Sequence, residues 1–235
     1  MLYTEDMVRS NLRNRGGKRV FYLAKGDTLT PGARDWLRQQ RVEILSAEQA
    51  KPDCYRLLNG AYVTEKPEHM THLNGDSLVL KTHPRIAFRG AMDTLEGELL
   101  LCAFHAQGQL QKDLQEILSL ARYLIRCDVL EEPLPEGMLC GLTQEELRSH
   151  SHRPQDYYYG QTHFMPEITD GETILRLNRC RCAARSAELA AARAFTDENG
   201  NAQRTDILRA MNRMSSMLYI LMIREKSKKQ IHEVK

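Results

Sequence analysis

The chain has 235 residues, 42% of them hydrophobic and 27% charged, which is typical of one large globular domain or of one domain with a small module. Its 33 Lys and Arg and 31 Asp and Glu leave a net charge of +2, which argues against generic nucleic-acid binding. The longest apolar run, residues 217–223, is too short to span a membrane. The N-terminus has no secretory signal and the six cysteines are scattered, so we expect a cytoplasmic protein with reduced thiols.

The first 50 residues predict a small β-α-β module. Residues 19–23 and 42–45 have strand character. Between them, Thr30 is a natural N-cap and Pro31 suits the first helical position. A module of this size is too small to be stable alone, so we expect it to pack on the rest of the chain. Residues 51–80 are rich in turn formers and predict an irregular linker and loop.

From residue 84 onward, apolar residues recur at helical spacing and predict about five helices. The fold class is therefore mainly α, a helical bundle over residues 81–225 with the N-terminal β-α-β module and a basic tail, 226–235. Thr143 and Glu146 form a predicted capping box for a short helix. The apolar positions of the first, second and last long helices are Ile86, Leu95, Leu99, Cys102 and Ala103; Leu110, Leu114, Ile117, Leu118, Ala121, Leu124 and Ile125; and Ile207, Met211, Met214, Leu218 and Leu221.

The predicted helix at residues 172–195 carries several arginines among alanines. Arg181, Arg185 and Glu188 lie at positions i, i+4 and i+7, on one face. Guanidinium groups match phosphate oxygens bidentately, so two of them one turn apart suit a polyphosphate. Salt bridges between helices, or a solvated face, are the structural alternatives and remain open. Arg179 and Arg193 lie off this face, and for them the structural alternatives are preferred.

Two further features of the helical region have open interpretations. Asn212 lies inside the last helix, where its amide needs a partner. That partner is either a nucleotide or a side chain of another helix. Cys180 and Cys182 form half of a metal-site pattern, but no second pair has zinc-site spacing, and we interpret them as small apolar residues on a helix.

Three stretches, taken together, resemble the ATP:corrinoid adenosyltransferases. They are KTHPRIAFRGAMDTLEG, RCAARSAE and MNRMSSMLY, in this order. The segments THLNGDSLVLK, EELRSHSHRP and HFMPEITDG are similar to the ethanolamine-utilisation (EutT) type in particular, and the propanediol-utilisation (PduO) type is a more distant relative. The resemblance covers roughly residues 66–225.

The resemblance implies that Co(I) of a reduced corrinoid attacks the 5′ carbon of ATP, giving adenosylcobalamin and tripolyphosphate. ATP and cobalamin are then substrates, and Mg²⁺ accompanies the phosphates. Since an attacking Co(I) needs no general base, catalysis would rest on positioning and on stabilising leaving-group charge. The implied catalytic residues are Arg181, Arg185 and Glu188, and the implied ATP-binding residues are Thr71, Lys81, Arg185, Glu188 and Asn212.

The same resemblance implies a corrinoid site, and it indicates that this chain differs in metal content from some ethanolamine-type members. The implied corrinoid-binding residues are Asp93, His163, Phe164 and Met165. His163 stands where the propanediol type has a phenylalanine three residues before a proline. Some ethanolamine-type members carry a cysteine cluster before the THL motif, whereas this segment has only Cys54, so we predict no Cys-ligated Fe or Zn.

The resemblance also implies partners. We expect a homotrimer with sites at subunit interfaces. The expected partners are a reductase, ethanolamine ammonia-lyase and a bacterial microcompartment. We expect neither nucleic acid nor a membrane as a partner. A non-catalytic corrinoid carrier or scaffold, and a nucleotide-sensing regulator, are the competing hypotheses. The presence of Arg181, Arg185, Glu188 and Asn212 favours the enzyme, because a carrier does not need a triphosphate clamp.

Overall fold

The computed structural model describes residues 1–15, 18–46 and 54–233, with the side chains up to residue 228. The chain divides into two compact units, Met1–His83 and Pro84–Lys235. We describe each unit by itself.

The first unit consists of short strands and two short helices. Its strands form a parallel pair β1–β4, a three-stranded sheet in the order β2-β3-β5 and a four-stranded sheet in the order β7-β6-β9-β8. The elements are β1 (Leu2–Tyr3), α1 (Glu5–Ser10), β2 (Arg13–Arg15), β3 (Lys18–Leu23), β4 (Thr28–Leu29), α2 (Pro31–Gln39), β5 (Glu43–Ser46), β6 (Tyr55–Leu57), β7 (Tyr62–Val63), β8 (Met70–Asn74) and β9 (Ser77–Leu80).

The predicted β-α-β module is confirmed. Strands β3 and β5 pair in parallel, and α2 connects them. The Thr30 hydroxyl accepts a hydrogen bond from the Ala33 N–H at 3.3 Å, and Pro31 occupies the first turn. The buried side chains of this module come from both strand and helix, because each has one apolar face; they are Val8, Leu12, Val20, Phe21, Leu29, Ala33, Leu37 and Val42.

The expectation of an irregular segment after the module is wrong for the described residues 54–80. Four strands of two to five residues form a sheet there. The turn formers lie between these strands and keep each of them short. A short strand does not give a clear alternating pattern in the sequence. The β8–β9 hairpin turns at Gly75, where φ is +52° and an added Cβ would lie 1.8 Å from the Asn14 carbonyl oxygen. Only glycine fits this position.

The second unit confirms the predicted bundle, with five α-helices among its described residues. They are α3 (Pro84–His105), α4 (Gly108–Leu130), α5 (Gln144–His152), α6 (Glu172–Phe195) and α7 (Thr205–Glu233). Helix α7 extends through residues 226–233, which the sequence analysis assigns to a separate tail. None of the helices in the described ranges combines the length and apolar character needed to cross a membrane.

The core of the bundle follows from the spacing of its apolar residues. Of the predicted apolar positions, all are buried except Ile86 and Ile125, which are partly exposed. Helix α6 turns small side chains inward, which lets it approach both α3 and α7 closely; these residues are Cys180, Ala184, Ala187 and Ala191. Cys182 is exposed, so the interpretation as an apolar filler holds for Cys180 alone.

A buried carboxylate holds α3 against α4. Asp128 is fully buried, and its two oxygens accept hydrogen bonds from Arg85 Nε and Arg89 Nε, each at 2.7 Å. Arg85 also donates to the Asp128 carbonyl oxygen at 2.7 Å. The two guanidinium groups therefore compensate one buried charge, which would otherwise be costly.

Candidate active site

One carboxylate of α6 binds the polar stripe of α7, which consists of Asn212, Ser215, Ser216 and Tyr219. Glu188 Oε1 accepts a hydrogen bond from the Asn212 side-chain amide at 2.8 Å, and Oε2 accepts one from the Ser215 hydroxyl at 3.2 Å. Asn212 and Ser215 are three residues apart on α7, so both reach the same acceptor. Of the two interpretations of Asn212, the hydrogen bond between helices is present. It fixes the orientation of an amide that remains exposed to solvent.

The two arginines of this face lie one helical turn apart and have different surroundings. Arg181 is half-buried, and its guanidinium carbon lies 5.5 Å from the centre of the Tyr219 ring. Arg185 is exposed, and its side chain makes no hydrogen bond or ion pair with any described residue. Neither is neutralised by a carboxylate in the described part of the chain. Of the two structural alternatives, salt bridges between helices are therefore absent at these positions within the described residues, whereas Arg185 does lie on a solvated face.

The other two arginines of α6 follow the structural alternatives. Arg179 Nε lies 2.7 Å from Glu98 Oε2, so it forms an ion pair between α6 and α3. Arg193 is exposed near the end of α6 and has no partner among the described residues. The exposed position and the absence of a partner make Arg193 a matched reference for Arg185.

Tyr219 fixes the loop that leads into α6. Its hydroxyl accepts a hydrogen bond from the Phe164 N–H at 2.9 Å and donates one to the Phe164 carbonyl oxygen at 3.0 Å. The His163 ring stacks on the Tyr219 ring with 5.6 Å between centroids. Lys226 Nζ lies 4.2 Å from the centre of the Phe164 ring and 2.8 Å from Asp170 Oδ1. His163, Phe164 and Arg181 therefore all contact the same residue of α7.

The remaining predicted corrinoid residues are exposed. Met165 is 81% exposed, and Ile168, which the sequence analysis does not single out, is 90% exposed. Asp93 is exposed on α3, with no hydrogen bond or ion pair to a described residue. Apolar side chains held in water by an anchored loop are available for a large apolar ligand.

The two predicted ATP-binding residues outside the bundle belong to the first unit. Thr71 lies on β8, where it pairs with Val79 of β9. Lys81 follows β9 and is exposed, and its N–H donates to the His69 carbonyl oxygen at 3.0 Å. Their roles toward ATP stay predictions.

The chemistry that the α6–α7 face offers is the binding of an anion. Arginine side chains stay protonated in proteins, so Arg181 and Arg185 supply donors and positive charge but do not abstract a proton. Within residues 1–15, 18–46 and 54–233, no three His, Cys, Asp or Glu side chains are arranged to hold a metal ion. The prediction of no Cys-ligated Fe or Zn stays a prediction.

Comparison with known proteins identifies the chain. The family model for cobalamin adenosyltransferase matches residues 61–225, which is more than half of the sequence. The chain belongs to the cobalamin adenosyltransferase family. The predicted enzyme class, a transferase, is confirmed with it.

Curated relatives of this adenosyltransferase confirm the predicted type. The chain is 30% identical to the corrinoid adenosyltransferase EutT of Salmonella typhimurium, over 94% of this chain and 90% of the relative. Identity and coverage are the same for the corrinoid adenosyltransferase EutT of Escherichia coli K12. The relatives match almost end to end, so the first unit is included in the similarity.

Solved structures support the fold of this adenosyltransferase. A variant of the PduO-type ATP:corrinoid adenosyltransferase from Lactobacillus reuteri, complexed with cobalamin and ATP, matches with a TM-score of 0.53 and 18% identity. The match covers 69% of this chain and 89% of that protein. A second variant of the same enzyme matches with a TM-score of 0.50 and 20% identity.

The structure adds residues of the adenosyltransferase that the motifs alone do not assign. Tyr219 and Ser215 belong to the polar stripe of α7, so their position is readable from helical spacing, but their partners are not. Lys226 lies beyond the matching motif. What reveals its role is its contact with Phe164.

Proposed function

We propose that this adenosyltransferase transfers the 5′-deoxyadenosyl group of ATP to Co(I) of cobalamin. The cobalt supplies the electron pair of the new Co–C bond, and the 5′ C–O bond breaks with its pair going to the departing tripolyphosphate. No proton has to move for this step, so the protein has to position the reactants and stabilise the anion that leaves. The observation that carries the proposal is Arg185, which has no partner among the described residues and lies one turn from Arg181 and three residues before Glu188, the residue that fixes the Asn212 amide.

The roles of the phosphate-side residues follow from their contacts. Arg181 and Arg185 bind the phosphate chain, where each guanidinium can offer two parallel donors. Asn212 contacts the nucleotide, and Glu188 keeps the Asn212 amide oriented, because the amide and the Ser215 hydroxyl occupy its two oxygens. Thr71 and Lys81 are the further ATP contacts.

Mg²⁺ fits this arrangement as a companion of the nucleotide. This ion is commonly held by substrate phosphates and water with few protein carboxylates. Bound in that way, it would neutralise phosphate charge. The carboxylate of Glu188 already accepts two hydrogen bonds, so we assign it to Asn212 and not to the metal.

The corrinoid binds at the loop that Tyr219 anchors. Phe164 and Met165 offer apolar surface to the lower face of the corrin ring, in place of the axial ligand that must leave before reduction. His163 stacks on Tyr219, whose ring also contacts Arg181. Asp93 completes the proposed set of corrinoid contacts.

The cellular setting is part of the same proposal. The similarity to EutT proteins supports a role in ethanolamine utilisation, supplying adenosylcobalamin to ethanolamine ammonia-lyase in the cytoplasm, in or near a microcompartment, with a reductase providing Co(I). A homotrimer with sites between subunits is supported by exposed apolar residues in the last turns of α3, namely Leu100, Leu101 and Phe104. A monomeric mass by light scattering would contradict the assembly.

The decisive experiment is an anaerobic assay with chemically reduced cob(I)alamin, ATP and Mg²⁺, following the photolabile Co–C product by its spectrum. We expect turnover by the wild type and a loss on the order of 100-fold in Arg185→Ala, the scale of removing one transition-state donor. Arg193→Ala removes an equally exposed guanidinium from the same helix and should keep full activity. A folded wild type that binds cobalamin but forms no product would instead indicate the corrinoid carrier.

A further inference from the structure

A second group of arginines lies on the other flank of α7. Arg148 of α5 and Arg209 and Arg213 of α7 line a cleft of about 300 Å³. Gln144 and Glu145 of α5 complete its lining. Three guanidinium groups and one carboxylate around a single cleft leave an excess of positive charge there.

These guanidinium groups are close enough to affect each other. Burial lowers the pKa of Arg213, and the positive charges of Arg148 and Arg209 lower it further, while Glu188 opposes them. Like charges held together cost free energy that an anion in the cleft would recover. The packing of α5 on α7 imposes this proximity, because Arg148 comes from one helix and its two neighbours from the other.

The described residues do little to neutralise the group. Arg148 and Arg213 form no ion pair with a carboxylate in the described ranges. Arg213 donates instead to the neutral side-chain oxygen of Asn212. Arg209 lies 2.8 Å from Glu136, but both side chains are more than half exposed, so water and salt weaken this pair. The cleft therefore retains donors and charge for a ligand.

The cleft adjoins the proposed active site without being part of it. Asn212 and Arg213 are consecutive on α7, so their side chains point about 100° apart around the helix. Asn212 binds Glu188 of α6, whereas Arg213 lines the cleft beside α5 and also donates to the Asn212 side-chain oxygen. A ligand that leaves the Arg181 and Arg185 face thus needs to cross only one helix surface to reach the cleft.

We propose that Arg148, Arg209 and Arg213 form a second anion site, which holds tripolyphosphate. Several guanidinium groups around one cleft match a ligand with several charged oxygens, as in a polyphosphate, better than a monovalent anion. The choice of tripolyphosphate among polyphosphates rests on the proposed function, in which it is the leaving group. The site receives this product after transfer and so frees the Arg181 and Arg185 face for ATP.

The test is a calorimetric titration of the full chain with tripolyphosphate at low ionic strength, without corrinoid or ATP. The parent protein carries Arg181→Ala and Arg185→Ala, so that the α6 face does not contribute. We expect it to bind tripolyphosphate, and Arg148→Gln added to it to weaken binding about tenfold, as for the loss of one charge-assisted contact. Arg193→Gln removes the same charge from an exposed site outside the cleft and should leave the affinity unchanged.

Three results would overturn the second site. They are no binding by the parent, a parent affinity that Arg148→Gln does not change, and equal weakening by Arg148→Gln and Arg193→Gln, which would mean a general charge effect. Arg148 is exposed and without a described side-chain partner, and circular dichroism checks that its variant stays folded. Turnover is measured separately, so a wild type that binds tripolyphosphate but forms no product refutes the transfer reaction and not the site.

Discussion

The anchoring of the corrinoid loop by Tyr219 can be tested by removing one oxygen atom. Tyr219→Phe deletes the hydroxyl that both accepts from and donates to Phe164. The ring remains, so the stacking with His163 and the contact with Arg181 are retained. The change therefore separates the two hydrogen bonds from the aromatic packing.

The size of the effect follows from the number of bonds lost. Each intramolecular hydrogen bond contributes about 1 kcal/mol net, so losing two shifts the equilibrium of the docked loop by about 2 kcal/mol. That free energy corresponds to about 30-fold in the population of the undocked loop. The free energy of global unfolding should change less, because the loop can release while the bundle stays folded.

Hydrogen exchange at the Phe164 amide measures the docked population directly. We expect its protection to fall about 30-fold in Tyr219→Phe, with weaker cobalamin binding. Tyr159→Phe is the control, because Tyr159 is 84% exposed and its hydroxyl has no described partner. Unchanged protection at Phe164 in Tyr219→Phe would refute the anchoring role.

Two further predictions concern the stability of the bundle. Asp128→Ala removes the buried carboxylate that two partly exposed guanidinium groups share, and it should lower the unfolding free energy in urea by about 3 kcal/mol, because two charge-assisted hydrogen bonds of about 1.5 kcal/mol each are lost. Glu131→Gln, at an exposed partner of Arg85, should change the unfolding free energy by less than about 0.5 kcal/mol. Equal losses would contradict the role of Asp128. Burial raises the pKa of Asp206, but hydrogen bonds from Arg204 and the Leu134 N–H outweigh it and lower that pKa from 3.8 to about 2. Because the pKa of Asp206 is lower in the folded state, its carboxylate contributes about 2 kcal/mol to stability. This contribution is present above pH 3.8 and is lost as the pH falls toward 2. Asp206→Asn should flatten the pH–stability curve between pH 3.8 and 2. An unchanged slope in this range would contradict the role of Asp206.

Local signals in the sequence were sufficient for the helices. The spacing of the apolar residues and the loop that precedes the helix predict α6 at residues 172–195. In the structure this helix spans Glu172–Phe195. The capping box of α5 is present as predicted, with the Thr143 hydroxyl accepting from the Glu146 N–H. These features depend on residues within one or two turns of each other, which is the range in which periodicity and capping act.

Contacts between distant residues could not be predicted in the same way. The β-sheet of residues 54–80 has strands too short to show an alternating pattern. The sequence placed Arg181, Glu188 and Asn212 on polar faces, but not the bond between Glu188 and Asn212, which are 24 residues apart. The bond between Tyr219 and Phe164 spans 55 residues. Helical periodicity gives the direction of a side chain and not the element that it meets.

The spacing of the contacts along α7 limits how this helix can change in length. Asn212, Tyr219 and Lys226 follow each other at intervals of seven residues, and they contact α6, the anchored loop and Asp170 in turn. Inserting or deleting one residue between them would rotate every later contact by about 100° and move it by about 1.5 Å along the axis. The turn at residues 197–203 lies before all three contacts and can vary in length without this effect. In related sequences, gaps should therefore fall in that turn and be absent between residues 212 and 226.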